Sequence, residues 1–153
     1  MAGFSFGGLI ILKTQLHNES KIKAAFLTAQ AYIVNGNALI SVINVFITMK
    51  LYIRKENSVH LQKFLKGLFT DADTFAHQFL AKALMNFSMD FTVVPLIKTR
   101  DALGIKIPLT IFASKQDIMF PGEKMLKRAK AIFPSLKQAV LLPQSKHVQS
   151  KNR

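Results

Sequence analysis

Two apolar runs near the carboxyl end, separated by an amphipathic segment, constrain the fold of this chain more than any other feature. Residues 107–113 are apolar and partly β-branched, which is typical of a buried parallel strand. Pro121 opens a segment that continues to about Phe133 and has apolar side chains at helical spacing on one face. Pro134 ends this helix, and a second short apolar run follows at residues 139–142. Strand, helix and strand in this order predict part of a parallel α/β sheet.

The loop after each of these strands contains a residue that can take part in acid–base chemistry. Asp117 lies just past the end of the first strand, and His147 follows the second. Parallel α/β sheets place ligands and catalytic groups at the carboxyl ends of their strands. An isolated Asp after a strand is more often a turn former or a helix cap, and a His in a basic tail is usually solvated. The other histidines have no comparable context and are interpreted as surface or packing residues: His17, His60 and His77.

The amino terminus contains a G-x-S-x-G motif, in which Ser5 stands between Gly3 and Gly7. A serine becomes a nucleophile only when a base takes its proton and its oxygen is held clear of the surrounding surface. A sharp turn between a strand and a helix meets the second requirement. Gly3 and Gly7 would leave room where a Cβ would collide with the crossing backbone, and Gly8 would let the following helix lie close to the sheet. An ordinary glycine-rich turn is the alternative, because the motif fixes only three positions.

Ser5, Asp117 and His147 occur in the order Ser…Asp…His, and residues 107–148 resemble the carboxyl-terminal unit of the α/β-hydrolase superfamily over their whole length. The resemblance is to serine hydrolases of the esterase and lipase type. It implies cleavage of an ester through an acyl-enzyme, with Ser5 as nucleophile, His147 as base and Asp117 as the acid that orients the imidazole. It also implies that the backbone N–H of Phe6 is one of two oxyanion donors.

The position of the motif predicts that the chain is a partial α/β-hydrolase fold. In the family the serine motif follows the fifth strand of a mostly parallel eight-stranded sheet, whereas only two residues precede it here. The chain would then hold the equivalents of strands six to eight, and Ser5 would have no strand to anchor it. We expect residues 1–153 to form one truncated domain, a fragment whose own activity is doubtful. The expected partner is a small-molecule ester, and a separate amino-terminal half, if one exists, would complement the site.

The middle of the chain predicts a further strand and a helical cap. Residues 24–29 form another apolar run typical of a parallel strand, and residues 34–103 fit the cap that the family inserts after it. The candidate cap helices are Leu39–Ile53, Leu61–Leu68 and Asp71–Asn86, the last with a Thr70/Asp71 cap. The many phenylalanines of this segment either line a lid that receives an acyl chain or form the inward face of the cap. Together they favour an apolar ester over a charged substrate.

Composition argues against several other functions. The sequence has no cysteine, no His/Glu cluster with metal-ligand spacing and no Gly-rich phosphate loop, so neither a metal nor a cofactor is expected. The net charge of +13 would suit a nucleic acid or an anionic membrane surface. The basic residues, however, follow the polar faces of amphipathic helices, which favours a solvated basic surface and no nucleic-acid partner.

The most apolar long segment, residues 38–53, resembles a membrane span only superficially. It contains Asn44 and Lys50 and is shorter than the roughly 20 residues that a bilayer requires. The amino terminus lacks the basic region of a signal peptide. We therefore expect no integral membrane span and a cytoplasmic location. The alternative to an enzyme is a catalytically inactive remnant, or a basic interaction module without enzymatic activity.

Overall fold

The protein, in a computed structural model that describes residues 1–37, 41–87 and 94–150, is built on a parallel β-sheet. Its four strands lie in the order β1-β2-β3-β4, and each neighbouring pair is parallel. The strands are β1 (Ala2–Phe4), β2 (Ala25–Thr28), β3 (Leu109–Ser114) and β4 (Leu136–Leu142). The predicted α/β class and the short parallel sheet are therefore confirmed.

Parallel neighbouring strands require a crossover connection, and two of the three crossovers in this sheet are each made by a single α-helix. Helix α1 (Phe6–His17) joins β1 to β2, and α6 (Gly122–Ile132) joins β3 to β4. The helix predicted from Pro121 to Phe133 therefore agrees with α6 to within one residue at each end. Strand β4 begins three residues before the predicted apolar run. Its first residues include Lys137 and Gln138, which are exposed, so an apolar pattern does not reveal them.

The first strand, β1, corrects the expectation that no strand anchors Ser5. Its three residues pair in register with β2, from Ala2 opposite Phe26 to Phe4 opposite Thr28. Backbone hydrogen bonds extend this pairing in both directions. Phe26 N–H donates to Met1 C=O at 2.9 Å, and Ser5 N–H donates to Thr28 C=O at 3.0 Å. Three residues suffice because β2, a half-buried strand of the same sheet, supplies the partner groups.

The described part of the segment between β2 and β3 contains several helices, as the cap prediction requires, and this segment is called the cap below. A π-helical turn (Val42–Ile47) continues into α2 (Thr48–Lys55), and α3 (Ser58–Leu68), α4 (Thr74–Asn86) and α5 (Thr99–Leu103) follow. The start of the predicted Leu39–Ile53 helix lies outside the described residues. The predicted Thr70/Asp71 cap is wrong, because the side chain of Asp73 caps α4 by accepting from Ala76 N–H at 2.9 Å.

Two hydrophobic clusters hold these elements together. One packs the sheet against α1 and α6 and contains fully buried side chains such as Leu27, Ile111 and Met125. The other lies within the cap and contains Val45, Met49, Phe64, Leu65 and Leu84. Met119, two residues after Asp117, packs against both clusters. The division of the chain into a domain and a cap at residues 34–103 stays a prediction.

Among the described residues, no helix combines the length and the apolar character needed to cross a membrane.

Candidate active site

Ser5 occupies a sharp turn between the end of β1 and the start of α1. Its backbone angles are φ 51° and ψ −117°, a combination that is sterically unfavourable for any residue with a side chain. The conformation is held from both sides. Ser5 N–H donates to Thr28, and Ser5 C=O accepts from Gly8 N–H at 3.1 Å and from Ala31 N–H at 3.2 Å. The surrounding backbone therefore imposes the strained conformation.

Close packing surrounds Gly3 and Gly8, but not Gly7. A Cβ on Gly3 would lie 2.7 Å from Ile11 Cδ1 and 2.8 Å from the backbone of Gly7 and Gly8. A Cβ on Gly8 would lie 2.5 Å from Cγ of Gln30, a residue that follows β2, and the predicted approach of the helix to the sheet stays a prediction. The expectation for Gly7 is wrong: a Cβ there would meet no described atom within 4 Å. Gly7 belongs to the first turn of α1 and faces open space.

Asp117 and His147 are brought together at the carboxyl edge of the sheet. Asp117 Oδ2 lies 2.8 Å from His147 Nδ1. The other carboxylate oxygen, Oδ1, accepts from Met119 N–H at 2.8 Å and from Phe120 N–H at 3.0 Å. The Asp117 side chain is fully buried, whereas that of His147 is 11% exposed. The acid is thus fixed by backbone donors, and its remaining oxygen faces the imidazole.

This pairing determines which imidazole nitrogen carries the proton. A carboxylate oxygen accepts hydrogen bonds and does not donate them, so Nδ1 of His147 must be the donor. In the neutral imidazole, Nε2 then has the free lone pair and is able to accept a proton. The arrangement is therefore that of a general base that is oriented by a carboxylate.

The third sequence-predicted residue, Ser5, follows β1 at the same carboxyl edge of the sheet and makes no described hydrogen bond to this pair. The ring of Phe4 lies 5.0 Å from the imidazole of His147, centroid to centroid, and the ring of Phe120 lies at 5.5 Å. Phe4 directly precedes Ser5, so the imidazole contacts the residue that leads into the turn. Among the described residues no hydrogen bond joins Ser5 Oγ to His147. Such bonds are often long before substrate binds and tighten in the complex.

The backbone N–H of Phe6 is available at the start of α1. Phe6 is the first residue of the helix, where an N–H group has no acceptor within the helix. No acceptor for it is present in the described part of the chain. The amino-terminal end of a helix also carries partial positive charge. This N–H group is therefore able to stabilise an anion that forms beside Ser5.

A cavity of about 1090 Å³ opens beside His147. Its walls come from the loop around His147 and from the cap, and they are mostly apolar. The aromatic lining residues are Phe4, Phe69, Phe75 and Phe79. Phe75 and Phe79 are 75% and 67% exposed, because they face this opening and not the cap core. Asp71, Asp73 and Thr74 supply the polar part of the rim.

The remaining histidines do not join the site. His77 stacks edge-on against Phe69 with 4.9 Å between ring centroids, which is a packing role. The part of the chain that the structure describes contains no group of three or more His, Cys, Asp or Glu side chains arranged to hold a metal ion. The sequence did not reveal the residues that hold the loop of His147, above all Thr70, because they are distant in the chain and belong to no motif.

No protein-family model and no curated protein matches the chain. Several solved structures match it. Naproxen esterase (carboxylesterase NP) from Bacillus subtilis is 20% identical, with a TM-score of 0.74 over 98% of this chain and 53% of that one. Carboxylesterase CesB from the same organism is 13% identical, with a TM-score of 0.72 over 95% and 52% of the two chains. A meta-cleavage product hydrolase from Pseudomonas fluorescens is 11% identical, with a TM-score of 0.69 over 95% and 56%.

These three proteins are α/β-hydrolases. The chain spans about half the length of the structures that it matches. At such low identities the likeness is evidence of the fold alone. The chain therefore has a partial α/β-hydrolase fold.

Proposed function

We propose that this chain is a serine hydrolase that cleaves a carboxylic ester through an acyl-enzyme. The observation that carries the proposal is the contact of 2.8 Å between Asp117 Oδ2 and His147 Nδ1, at the sheet edge that also carries a serine in a strained turn. Each of the three residue types occurs elsewhere in many proteins. Their combination at one edge of a parallel sheet is what acyl transfer by a serine requires.

The proposed reaction uses each group in turn. His147 Nε2 takes the proton of Ser5 Oγ while that oxygen attacks the ester carbonyl carbon, and Asp117 stabilises the resulting imidazolium. The carbonyl oxygen becomes an oxyanion and accepts from Phe6 N–H. The imidazolium then protonates the alkoxide, which leaves as the alcohol. A water molecule, deprotonated by His147, attacks the acyl-enzyme, and the carboxylic acid leaves as Ser5 regains its proton.

The lining of the cavity supports an apolar acyl group. Phe69, Phe75 and Phe79 would contact a hydrocarbon chain whose carbonyl carbon lies near His147. Ligand sites are lined mostly by such side chains. The carboxylesterases among the structural neighbours agree with an ester substrate. Complementation by a separate amino-terminal half and a cytoplasmic location stay predictions from the sequence.

The decisive experiment treats the purified chain with a fluorophosphonate and measures its intact mass, with Ser5→Ala as the matched variant. Ser5 Oγ would bond to phosphorus and displace fluoride, so we expect one adduct on the wild-type chain and none on the variant. Absence of an adduct on the wild-type chain would contradict the proposal. That result would favour the alternative, which is an inactive remnant or a basic interaction module. The chain's span of about half of the matching structures supports the remnant, and the net charge of +13 supports the interaction module.

A further inference from the structure

A single hydroxyl group of the cap contacts the chain on both sides of His147. Thr70 Oγ1 accepts from Lys146 N–H at 2.9 Å and donates to Val148 C=O at 2.8 Å. Thr70 lies just after α3, in the connection to α4. A hydroxyl can donate one hydrogen bond and accept others, so both contacts are made in their proper sense. The residues that flank the base are thus tied to one atom, more than 70 positions away in the sequence.

Backbone hydrogen bonds reinforce this contact. Thr70 N–H donates to Val148 C=O at 2.9 Å, and Val148 N–H donates to Leu68 C=O at 2.9 Å. Phe69 and Val148 form an isolated parallel bridge. The Lys146 ammonium donates to Lys66 C=O at 2.7 Å, in the last turn of α3, where a positive charge is favourable. The cap therefore holds the loop through both backbone and side chains.

The sheet holds the same loop from the opposite side. Gln116 N–H donates to Ser145 C=O at 3.0 Å, and the side chain of Gln149 donates to Ser114 Oγ at 3.1 Å. The loop of His147 is therefore bonded to the sheet on one side and to the Thr70 hydroxyl of the cap on the other, while the imidazole itself contacts Asp117. A displacement of the cap would move the loop relative to Asp117, because the loop is bonded to both.

We infer that Thr70 is a positioning residue for His147, and that the cap thereby sets the alignment of the base with Asp117. The inference rests on the proposed function for its catalytic meaning, although the contact itself does not depend on it. A displacement of about 1 Å in a catalytic group can cost about 10²-fold in rate. Loss of the Thr70 hydroxyl would leave Lys146 N–H without its acceptor and allow such a displacement.

The test compares Thr70→Val, which keeps the shape and removes the hydroxyl, with Thr70→Ser, which keeps the hydroxyl. Thr48→Val is the matched control, because the described contacts of Thr48 Oγ1 are to the Asn44 and Val45 carbonyls of the π-helical turn that precedes α2. The rate constant for phosphonylation of Ser5 should fall by about 10- to 100-fold in Thr70→Val. It should remain near the wild-type value in Thr70→Ser and in Thr48→Val.

A spectroscopic measurement separates this inference from the proposed function. Proton–nitrogen correlation spectra of the imidazole report whether His147 Nδ1 carries a hydrogen-bonded proton. We expect that signal in the wild-type chain, in Thr70→Ser and in Thr48→Val, and its loss or displacement in Thr70→Val. An unchanged imidazole signal in Thr70→Val, or failure of a folded Thr70→Ser to restore it, would overturn the inference. An unreactive wild-type chain would overturn the proposed function, and the imidazole spectra would still decide the role of Thr70.

Amide hydrogen exchange of the unsubstituted protein tests the contact if Thr70→Val does not fold. The Lys146 amide donates to Thr70 Oγ1, and the Val148 amide donates to Leu68 C=O. Both amide protons should therefore exchange slowly. Exchange of these two amides at the rate of an open loop would overturn the inference.

Discussion

The carboxylate of Asp117 is oriented by two backbone N–H groups so that only one of its oxygens faces His147. Oδ1 accepts from Met119 and Phe120, which leaves Oδ2 for the imidazole at 2.8 Å. The carboxylate cannot rotate without losing the backbone donors, and it is fully buried. The orientation of the Asp117 carboxylate is therefore set by the backbone, and the carboxylate in turn orients the imidazole of His147.

Asp117→Asn should reverse the proton pattern of the imidazole. The two backbone donors will hold the amide oxygen at the Oδ1 position, so the amide NH₂ will face Nδ1. Nδ1 must then accept, the proton moves to Nε2, and the base has no free lone pair for Ser5. We expect the phosphonylation rate constant of Ser5 to fall by about 10⁴-fold, as for other triads with this change.

The matched control is Asp71→Asn, a carboxylate at the rim of the same cavity that is exposed. Ser5 of the Asp71→Asn variant should be phosphonylated at the wild-type rate. Equal rates for Asp117→Asn and the wild-type chain, measured by intact mass against time, would show that Asp117 does not orient the base.

Gly3→Ala and Gly7→Ala should affect stability differently, although both glycines belong to the same motif. A Cβ on Gly3 would lie 2.8 Å from backbone atoms, which cannot move as a side chain does. We expect a loss of about 1–3 kcal/mol in the free energy of unfolding. A Cβ on Gly7 meets open space within α1, so Gly7→Ala should be neutral or stabilise by up to about 1 kcal/mol. Urea denaturation of the two variants decides this, and similar losses in both would contradict it.

Local patterns predict β2, β3, β4 and the two loops, because those features depend on neighbouring residues, whereas the three residues of β1 are too short a run to be recognised. The apolar run before Asp117 predicts β3, and parallel topology predicts that the loop of His147 ends at the same edge of the sheet. The contact between Thr70 and this loop escapes such reasoning, since a single hydroxyl has no motif. The same long-range contact explains why the predicted Thr70/Asp71 helix cap is wrong. The Thr70 hydroxyl forms its hydrogen bonds with Lys146 and Val148, and the side chain of Asp73 caps α4.

Tyr32 provides a prediction about pH. Burial raises the pKa of Tyr32 above its ordinary value of 10.0, and the negative charge of Asp101 raises it further. The folded state therefore favours the neutral phenol more than the unfolded state does. This contribution to stability is present below pH 10 and is lost as pH rises through the raised pKa.

Asp101→Asn should lower the pKa of Tyr32 toward 10.0 without reaching it, because burial is the larger cause. The pKa of Tyr32 is measured by ultraviolet titration of the phenol. Tyr52 is the only other tyrosine, so the signal that disappears in Tyr32→Phe belongs to Tyr32. An unchanged pKa in Asp101→Asn would show that the carboxylate does not act on the phenol.

The cavity beside His147 should select esters by the length of their acyl chain. Phe75 lines it and is 75% exposed, so a hydrocarbon chain would cover a ring that now faces water. Full burial of such a side chain contributes about 1.5–3 kcal/mol, and partial cover by a ligand contributes less.

Phe75→Ala should therefore lower kcat/KM for a medium-chain nitrophenyl ester by about 3- to 10-fold and leave that for the acetate ester nearly unchanged. Phe87→Ala is the matched control. Phe87 is 72% exposed but lines a different cavity of the cap, with Leu84 and Met85. Phe87→Ala should leave kcat/KM unchanged for both esters. If both variants lost the same activity on both esters, the aromatic residues would act through cap stability, and the cavity beside His147 would not be the acyl site.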